Sequence, residues 1–370
     1  MGNAKTDPRA ASDACKTPGL GQGGPDRREI MIGLMAMAGL PVLGASSASA
    51  AANEIVVANW GGPAATALTK VWGQIAQEKL GAKLVVDGSG PTPGKIRAMA
   101  DAKKVIWDVI DANVGGSIML GDLGLVEEID YSIIGHKVPK EYEYKYAVCN
   151  YIFSYVLAYN GKALGGKRPT SWKDFWNVKD FPGKRSLRAT CPGQLECALL
   201  ADGVPADKIY PIDLPRALAK IREIKEHTIF WKSGSQSEDL FRQNEIVMGN
   251  MWHNRTNLLR QETNGAIDWI WDGAIIAPAV WMVPKGNPAG KQKAMEMISQ
   301  FLDPARQAEL FQIIGMGPSN PAAAALIPEE LKRYNPSEPA NLAKQIHVSE
   351  EWYGKNLADA EAKYLDAISS

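Results

Sequence analysis

Short apolar segments alternate with segments of helical periodicity along most of the sequence, and this alternation limits the possible folds more than any other feature. Three segments are short and apolar enough to be buried strands: residues 55–59, 84–86 and 105–111. Between the first two, apolar residues recur at helical spacing from Leu68 to Leu80, and Gly81 is well placed to end that helix. Strands that alternate with helices form parallel βαβ units, so the sequence predicts an α/β fold with helices on both faces of the sheet.

The second half of the chain continues this pattern. Extended apolar segments are expected at residues 151–160, 245–251 and 274–284, and helices at residues 95–101, at residues 214–227 and after His253. Residues 170–172 (Thr-Ser-Trp) are placed to form the N-cap and first turn of a helix over residues 173–176. The last 40 residues are amphipathic and are predicted to be helical. Two α/β blocks joined by extended segments predict two lobes with a cleft between them.

The first 50 residues have the pattern of an export signal. Arg27 and Arg28 precede an apolar run at residues 30–44, which is shorter than the about 20 residues that a membrane-spanning helix needs. An Ala-x-Ala pattern ends at Ala50. This order is typical of a secretory signal, either of the twin-arginine or of the Sec type. We therefore predict a periplasmic protein that is cleaved near Ala50 and is not inserted in the membrane.

Charge and composition argue against several classes of function. After residue 50 the chain carries 36 basic and 37 acidic side chains and no basic block, so nucleic acid is not expected as a partner. The 320 residues are enough for two sizeable cores. The four histidines lack metal-ligand spacing, and no hydrolase, metalloprotease or P-loop motif is present. The expectation is a monomer without catalytic residues, metal or cofactor.

Three cysteines remain after residue 50, and they leave two alternatives open. Cys191 and Cys197 are six residues apart and could form a disulfide in an oxidising compartment, with Cys149 free. Three unpaired, buried thiols are the alternative, because a disulfide requires Cα atoms within about 7 Å.

Five segments, in the same order along the chain, resemble landmarks of the spermidine/putrescine-binding group of extracellular solute-binding proteins. They are residues 59–62 (Asn-Trp-Gly-Gly), 107–109 with 124–130, 170–176 (Thr-Ser-Trp-Lys-Asp-Phe-Trp) with 181–184, 249–252 (Gly-Asn-Met-Trp) and 315–320 (Gly-Met-Gly-Pro-Ser-Asn). The resemblance covers nearly all of the chain after the signal. It implies the periplasmic receptor of an ABC importer, which binds a small-molecule solute and delivers it to a cognate permease.

The resemblance also implies a fold. It is the two-lobe type II periplasmic-binding-protein fold, in which each lobe is a mixed, mostly parallel sheet flanked by helices and two crossover segments form the hinge. Lobe one would comprise residues 53–158 and 275–324, and lobe two residues 159–274 and 325–370. The solute is then trapped between the lobes by hinge closure.

The family's pocket is only partly present in this sequence. Trp60 and Trp252 match pocket positions, where an aromatic face contributes about 0.5–2 kcal/mol to binding of a cation. The acids that hold polyamine ammonium groups have no counterpart at residues 188–194 or 276–278. A diamine would leave its charges poorly compensated, so a simple putrescine or spermidine receptor is not expected.

Other residues indicate a solute of mixed charge. Arg188 and Arg255 would favour a carboxylate or phosphate if they entered the cleft; the alternative is a salt-bridged surface arginine. Asp111 and Asn113 end a predicted strand, where open α/β sheets bind their ligands. Asp111 is the best cation partner, and its alternative role is to cap the next helix.

The turn after the first strand is a further candidate. Gly61 and Gly62 open a helix, whose free N–H groups suit an anion, or they form an ordinary turn. The predicted ligand-binding residues are Trp60, Gly61, Gly62, Asp111, Asn113, Arg188, Trp252, Asn254 and Arg255. They favour an amino-acid-like, opine-like or polyamine-like solute. Thiamine or its phosphates are an alternative, as is a periplasmic sensor lobe for signalling; an enzyme is the least favoured.

Overall fold

The computed structural model of the chain describes residues 53–369. The predicted signal segment and its cleavage near Ala50 lie outside the described residues. Within residues 53–369, no helix combines the length and the apolar character that crossing a membrane requires.

The described residues form ten strands and fourteen α-helices. The strands are β1 (Glu54–Ala58), β2 (Lys83–Asp87), β3 (Val109–Asn113), β4 (Val148–Asn160), β5 (Arg185–Arg188), β6 (Thr228–Trp231), β7 (Met248–Trp252), β8 (Ile267–Met282), β9 (Gly317–Pro318) and β10 (Ile346–His347). The helices are α1 (Pro63–Leu80), α2 (Pro93–Asp101), α3 (Val114–Asp122), α4 (Tyr131–Ile134), α5 (Trp172–Trp176), α6 (Gln194–Ala201), α7 (Leu214–Ile224), α8 (Gly234–Arg242), α9 (His253–Glu262), α10 (Lys291–Phe301), α11 (Pro304–Ile314), α12 (Glu329–Lys332), α13 (Pro339–Leu342) and α14 (Glu350–Ser369).

The sheet consists of two parallel wings joined by two long antiparallel strands. Its order is β2-β1-β3-β8-β4-β7-β5-β6, with β10 paired to β8 and β9 paired to β4. The first wing (β1–β3) and the second wing (β5–β7) are each parallel. Between them, β4 (13 residues) and β8 (16 residues) run antiparallel to each other. The predicted α/β fold with two crossing segments is therefore confirmed.

Helix α1 forms where the sequence predicts it and shows how the first wing is covered. Pro63 occupies the first turn, where its missing N–H costs nothing. Leu68 and Trp72 are buried on one face, and each contributes about 1.5–3 kcal/mol of apolar burial. Gly81 ends the helix at φ 58°, a conformation that disfavours a side chain, and its N–H donates to Gln77 O at 3.1 Å.

Each wing has its own apolar core. The core of the first wing lies among α1, α10, α11 and the end of β8, around Trp72, Trp281 and Phe301. The second wing is covered on one side by α6, α7 and α14, whose Tyr364 is fully buried. A further cluster there includes Phe175. Two cores are what a chain of this length was expected to bury.

The third predicted strand begins later than the sequence indicated. Residues 105–108 are outside the ladder, and β3 starts at Val109. The cause is Asp108, whose carboxylate accepts hydrogen bonds from Val56 N (2.7 Å) and Ala289 N (2.7 Å). The side chain thus takes the Val56 N–H of β1, which a longer β3 would use, and also joins residue 108 to the loop after β8. The following helix, α3, is capped by Asn113, which accepts from Gly116 N at 2.6 Å.

The prediction that the last 40 residues are helical is wrong for the first half of that segment. Only α14 is a long helix, and α12, α13 and β10 precede it. Pro336 and Pro339 interrupt the helical pattern because proline lacks an N–H and clashes with the preceding turn. Strand β8 also departs from expectation, since it begins at Ile267 rather than near residue 274.

The possible disulfide between Cys191 and Cys197 is not formed, and all three described cysteines are free and buried. The two side chains lie in different apolar clusters, one packed against α14 and the other against the cluster around Phe175. The Cys197 thiol donates instead to Gln194 O at 3.1 Å. The alternative of unpaired thiols is the correct one.

Candidate functional site

A cleft lies between the two wings, at the carboxyl ends of their parallel strands. Its volume is about 660 Å³, counting the space that is open to solvent. Open α/β sheets bind ligands at this edge. Seven of the residues predicted to bind ligand line it: Trp60, Asp111, Asn113, Arg188, Trp252, Asn254 and Arg255. Their role in binding stays a prediction, but the structure brings them together.

The floor of the cleft is an aromatic row that sequence reasoning missed. Tyr151, Phe153 and Tyr155 alternate along β4 and therefore project from the same face. Tyr151 is paired across the ladder with Ala279, and Phe153 with Ala277, so each large ring stands beside a small side chain. The alternation of aromatic residues at every second position of a predicted strand was the available signal.

Asp111 provides the negative side of the cleft. It is fully buried, and its Oδ2 accepts hydrogen bonds from Asn59 Nδ2 (2.7 Å) and from the Tyr151 hydroxyl (2.9 Å). Its Oδ1 is also buried, yet no described residue donates to it. Burial raises the pKa of Asp111 to about 7, against the lowering effect of these two donors. Asn113, not Asp111, caps the next helix, so the alternative role for Asp111 is wrong.

Arg188 provides the positive side. Its guanidinium lies 4.9 Å from the Trp252 ring and 5.7 Å from the Trp231 ring, and Nη1 donates to the Tyr155 hydroxyl at 3.2 Å. The Nε atom is buried without an acceptor among residues 53–369. Arg188 forms no salt bridge with any acid in the described part of the chain. Such a guanidinium has donors free to bind a carboxylate.

Arg255 also lines the cleft, but its charge is already compensated. Nη1 forms a salt bridge with Glu238 Oε1 at 2.6 Å, and both side chains are buried. Nη2 donates to Gly61 O at 3.3 Å. The interpretation of Arg255 as salt-bridged is thus correct, although the pair is not at the surface. Gly62 packs against this guanidinium and Gly61 against Gly88, so neither glycine lines the cleft.

We expect Glu238→Gln to lower the free energy of unfolding by about 3–5 kcal/mol, because it leaves the Arg255 charge buried without its counter-ion. Glu309→Gln is the matched control, since Glu309 pairs with the exposed Arg306 at 2.8 Å, away from Glu238, and it should cost less than about 1 kcal/mol. Urea denaturation of both variants measures the difference. Equal effects would show that the buried pair is no more important than the exposed one.

His253 lies next to the cleft but has a structural role. Its Nδ1 accepts from Ser154 N at 3.1 Å, which leaves Nε2 to donate to Gly315 O at 2.7 Å. Complete burial lowers the pKa of His253 to about 4. A neutral ring of fixed tautomer therefore links β4, α9 and the segment that follows α11.

Two parallel wings, two crossing strands and a cleft with charges on both walls define a solute receptor of the periplasmic-binding type. The family described as bacterial extracellular solute-binding protein matches residues 73–337, and the chain belongs to that family. Its relatives include the gamma-aminobutyric acid-binding protein of Pseudomonas aeruginosa, which is 30% identical over 86% of this chain and 92% of that protein.

Solved structures agree with this assignment. An ABC transporter substrate-binding protein from Bradyrhizobium japonicum is 34% identical, with a TM-score of 0.80 over 86% of this chain and 100% of that one. The periplasmic binding protein AgtB of A. tumefaciens in complex with agropinic acid is 28% identical, with a TM-score of 0.79 over 86% of this chain and 99% of that one. The predicted solute-binding function is confirmed.

Proposed function

We propose that this solute-binding protein serves an ABC importer, and that its solute is a short zwitterion of the γ-aminobutyrate type. It acts in the periplasm as a monomer after removal of the signal near Ala50, delivers the solute to a membrane permease, and binds without chemical turnover. The observation that carries the proposal is the pair of unpaired opposite charges, Asp111 and Arg188, in the walls of one cleft.

The charge balance of the cleft selects the class of solute. The Arg255 charge is neutralised by Glu238, so Asp111 and Arg188 are the charges of the main cleft that await a partner. A buried ionised group is tolerated only when it is paired, so the fully buried Asp111 requires a positive charge on the solute. Arg188 is half-buried and has donors free for a carboxylate. A molecule with an ammonium group at one end and a carboxylate at the other satisfies both.

The relatives support the same chemistry. The gamma-aminobutyric acid-binding relative covers nearly the whole chain, and the ligand named for AgtB, agropinic acid, is an acid as well. The aromatic floor of the cleft suits an alkyl linker between the two charged groups. A diamine matches less well, because one of its ammonium groups would meet Arg188.

Closure of the two wings accounts for capture. Asp111 belongs to the first wing and Arg188 to the second, so a solute that binds both favours the closed form. The hydrogen bond between Arg255 and Gly61 already joins α9 to the loop after β1. We propose the hinge where β4 and β8 cross, because the β4 ladder shifts register after Tyr155 and residues 271–274 of β8 have no partner on β4. We assign the lobes as residues 53–158 with 275–324 and residues 159–274 with 325–370.

A thermal-shift comparison of γ-aminobutyrate, putrescine, spermidine and thiamine tests the proposal. At about 100 times its dissociation constant, a ligand adds roughly 2.7 kcal/mol of stability. We expect that response with γ-aminobutyrate, and recovery of the ligand unchanged. A thermal shift with putrescine or thiamine, and none with γ-aminobutyrate, would refute the proposal of a zwitterionic solute.

A further inference from the structure

A second cavity opens beside the main cleft and shares part of its wall. Its volume is about 440 Å³, counting space open to solvent, and we call it the side chamber. Asn113, Phe153, Tyr155 and Arg188 line both spaces, so Arg188 faces the main cleft on one side and the side chamber on the other. The far wall of the side chamber includes Glu350, the first residue of α14.

Glu350 is an acid without a basic partner. No Lys, Arg or His among residues 53–369 forms a salt bridge with it, and the N–H of Gly115 at the start of α3 donates to its carboxylate. Burial raises the pKa of Glu350 to about 7, and the charge of the nearby Glu196 acts in the same direction. Glu196 is occupied by hydrogen bonds from the Tyr210 and Tyr353 hydroxyls, so Glu350 is the acid available to a molecule in the chamber.

The main cleft and the side chamber together contain three charged groups without a charged partner among the residues that the structure describes. Asp111 and Glu350 are acidic, Arg188 lies in the wall common to both spaces, and Arg255 is neutralised by Glu238. A zwitterion balances Asp111 and Arg188 but leaves Glu350 without a counter-ion. A solute with one carboxylate and two ammonium groups balances all three.

We propose that the side chamber is a second cation position and that the preferred solute class is a diamino monocarboxylate. The inference rests on the proposed function, because it keeps one ammonium group at Asp111 and the carboxylate at Arg188. The second ammonium group lies in the side chamber against Glu350. The compound 2,4-diaminobutyrate is the sharpest probe, since it is γ-aminobutyrate with one ammonium group added next to the carboxylate.

Calorimetric titration at about pH 7.5 tests this with two ligands and three proteins. The wild type should bind 2,4-diaminobutyrate at least about tenfold more tightly than γ-aminobutyrate, the change that one added ion pair of about 1.4 kcal/mol produces. Glu350→Gln keeps an acceptor for Gly115 N and removes the charge. It should abolish this preference by weakening diaminobutyrate alone. Glu351→Gln, at the exposed neighbouring position on α14, is the matched control and should leave both affinities unchanged.

The outcomes separate the two proposals. Equal affinity of the wild type for the two ligands overturns the second cation position and leaves the zwitterion proposal standing. A Glu350→Gln effect that is the same for both ligands overturns it as well. If neither ligand binds the wild type, the proposed function fails and the inference fails with it. The comparison of the two ligands on the wild type tests the second cation position even if Glu350→Gln does not fold.

Discussion

Replacing Asp111 with asparagine should stabilise the unliganded protein and weaken its binding of γ-aminobutyrate by about 2–5 kcal/mol. The two effects have one cause, a buried carboxylate with an unpaired oxygen. Asparagine retains an acceptor for Asn59 and Tyr151 and carries no charge. It therefore removes the cost of burying the ion and, with it, the partner of the ligand's ammonium group.

The sign of the stability change follows from the pKa of Asp111, which folding raises from 3.8 to about 7. Between these values the folded state binds more protons than the unfolded state, so the contribution of Asp111 to stability falls as the pH rises through this window. Above about pH 7 the full cost, up to about 4 kcal/mol, is present in the wild type and absent in Asp111→Asn. Ligand affinity has the opposite pH dependence. It should fall as the pH drops below about 7, because protonation of Asp111 removes the anion.

Asp108→Asn is the matched control for this prediction. Asp108 is also buried, but both of its oxygens accept backbone hydrogen bonds, from Val56 N and Ala289 N. An amide leaves one of these donors without an acceptor, at a cost of about 1–3 kcal/mol. Urea denaturation across pH 5–8 and calorimetry should thus show destabilisation with normal binding for Asp108→Asn. If Asp111→Asn destabilised the protein and bound the ligand normally, Asp111 would be structural.

Arg188→Met should weaken binding of γ-aminobutyrate by about 2–5 kcal/mol through loss of a charge-assisted contact to the ligand's carboxylate. Methionine keeps much of the packing against Trp252 and Trp231, so the fold should be retained.

Arg97→Met, at an exposed position on α2, is the control for Arg188→Met. It removes the same charge from the protein but not from the cleft, and its affinity should match that of the wild type within about twofold. Calorimetric titration of both variants gives the comparison. If Arg188→Met and the wild type bound γ-aminobutyrate with equal affinity, the ligand's carboxylate would not be bound by Arg188.

The sequence supported the fold because its local signals agree with one another. The segment from β1 to β2 shows this: an apolar strand, a helical stripe around Trp72 and a glycine at the αL position all indicate the same unit. Prediction failed where a distant partner decides, as at Asp108, whose side chain accepts from Val56 N, 52 residues away, where a longer β3 would pair. No local pattern encodes that contact.

Part of the candidate site could also be predicted from the sequence. Asp111 was nominated because it lies near the end of a predicted strand, and Arg188 because its guanidinium would suit a carboxylate; the structure brings both into one cleft. The partner of Arg255 could not be foreseen, because Glu238 lies 17 residues away on another helix. Likewise, Glu350 reaches the side chamber only because α14 folds back onto α3.

Calorimetric titration of the wild type with γ-aminobutyrate, butyrate and n-butylamine tests the central claim most directly. The three molecules share a four-carbon chain and differ in which charged ends they carry. If the buried Asp111 and the half-buried Arg188 each await a partner, only γ-aminobutyrate binds tightly, and each singly charged analogue is weaker by about a hundredfold or more. Binding of either analogue with an affinity equal to that of γ-aminobutyrate would contradict a cleft built for opposite charges.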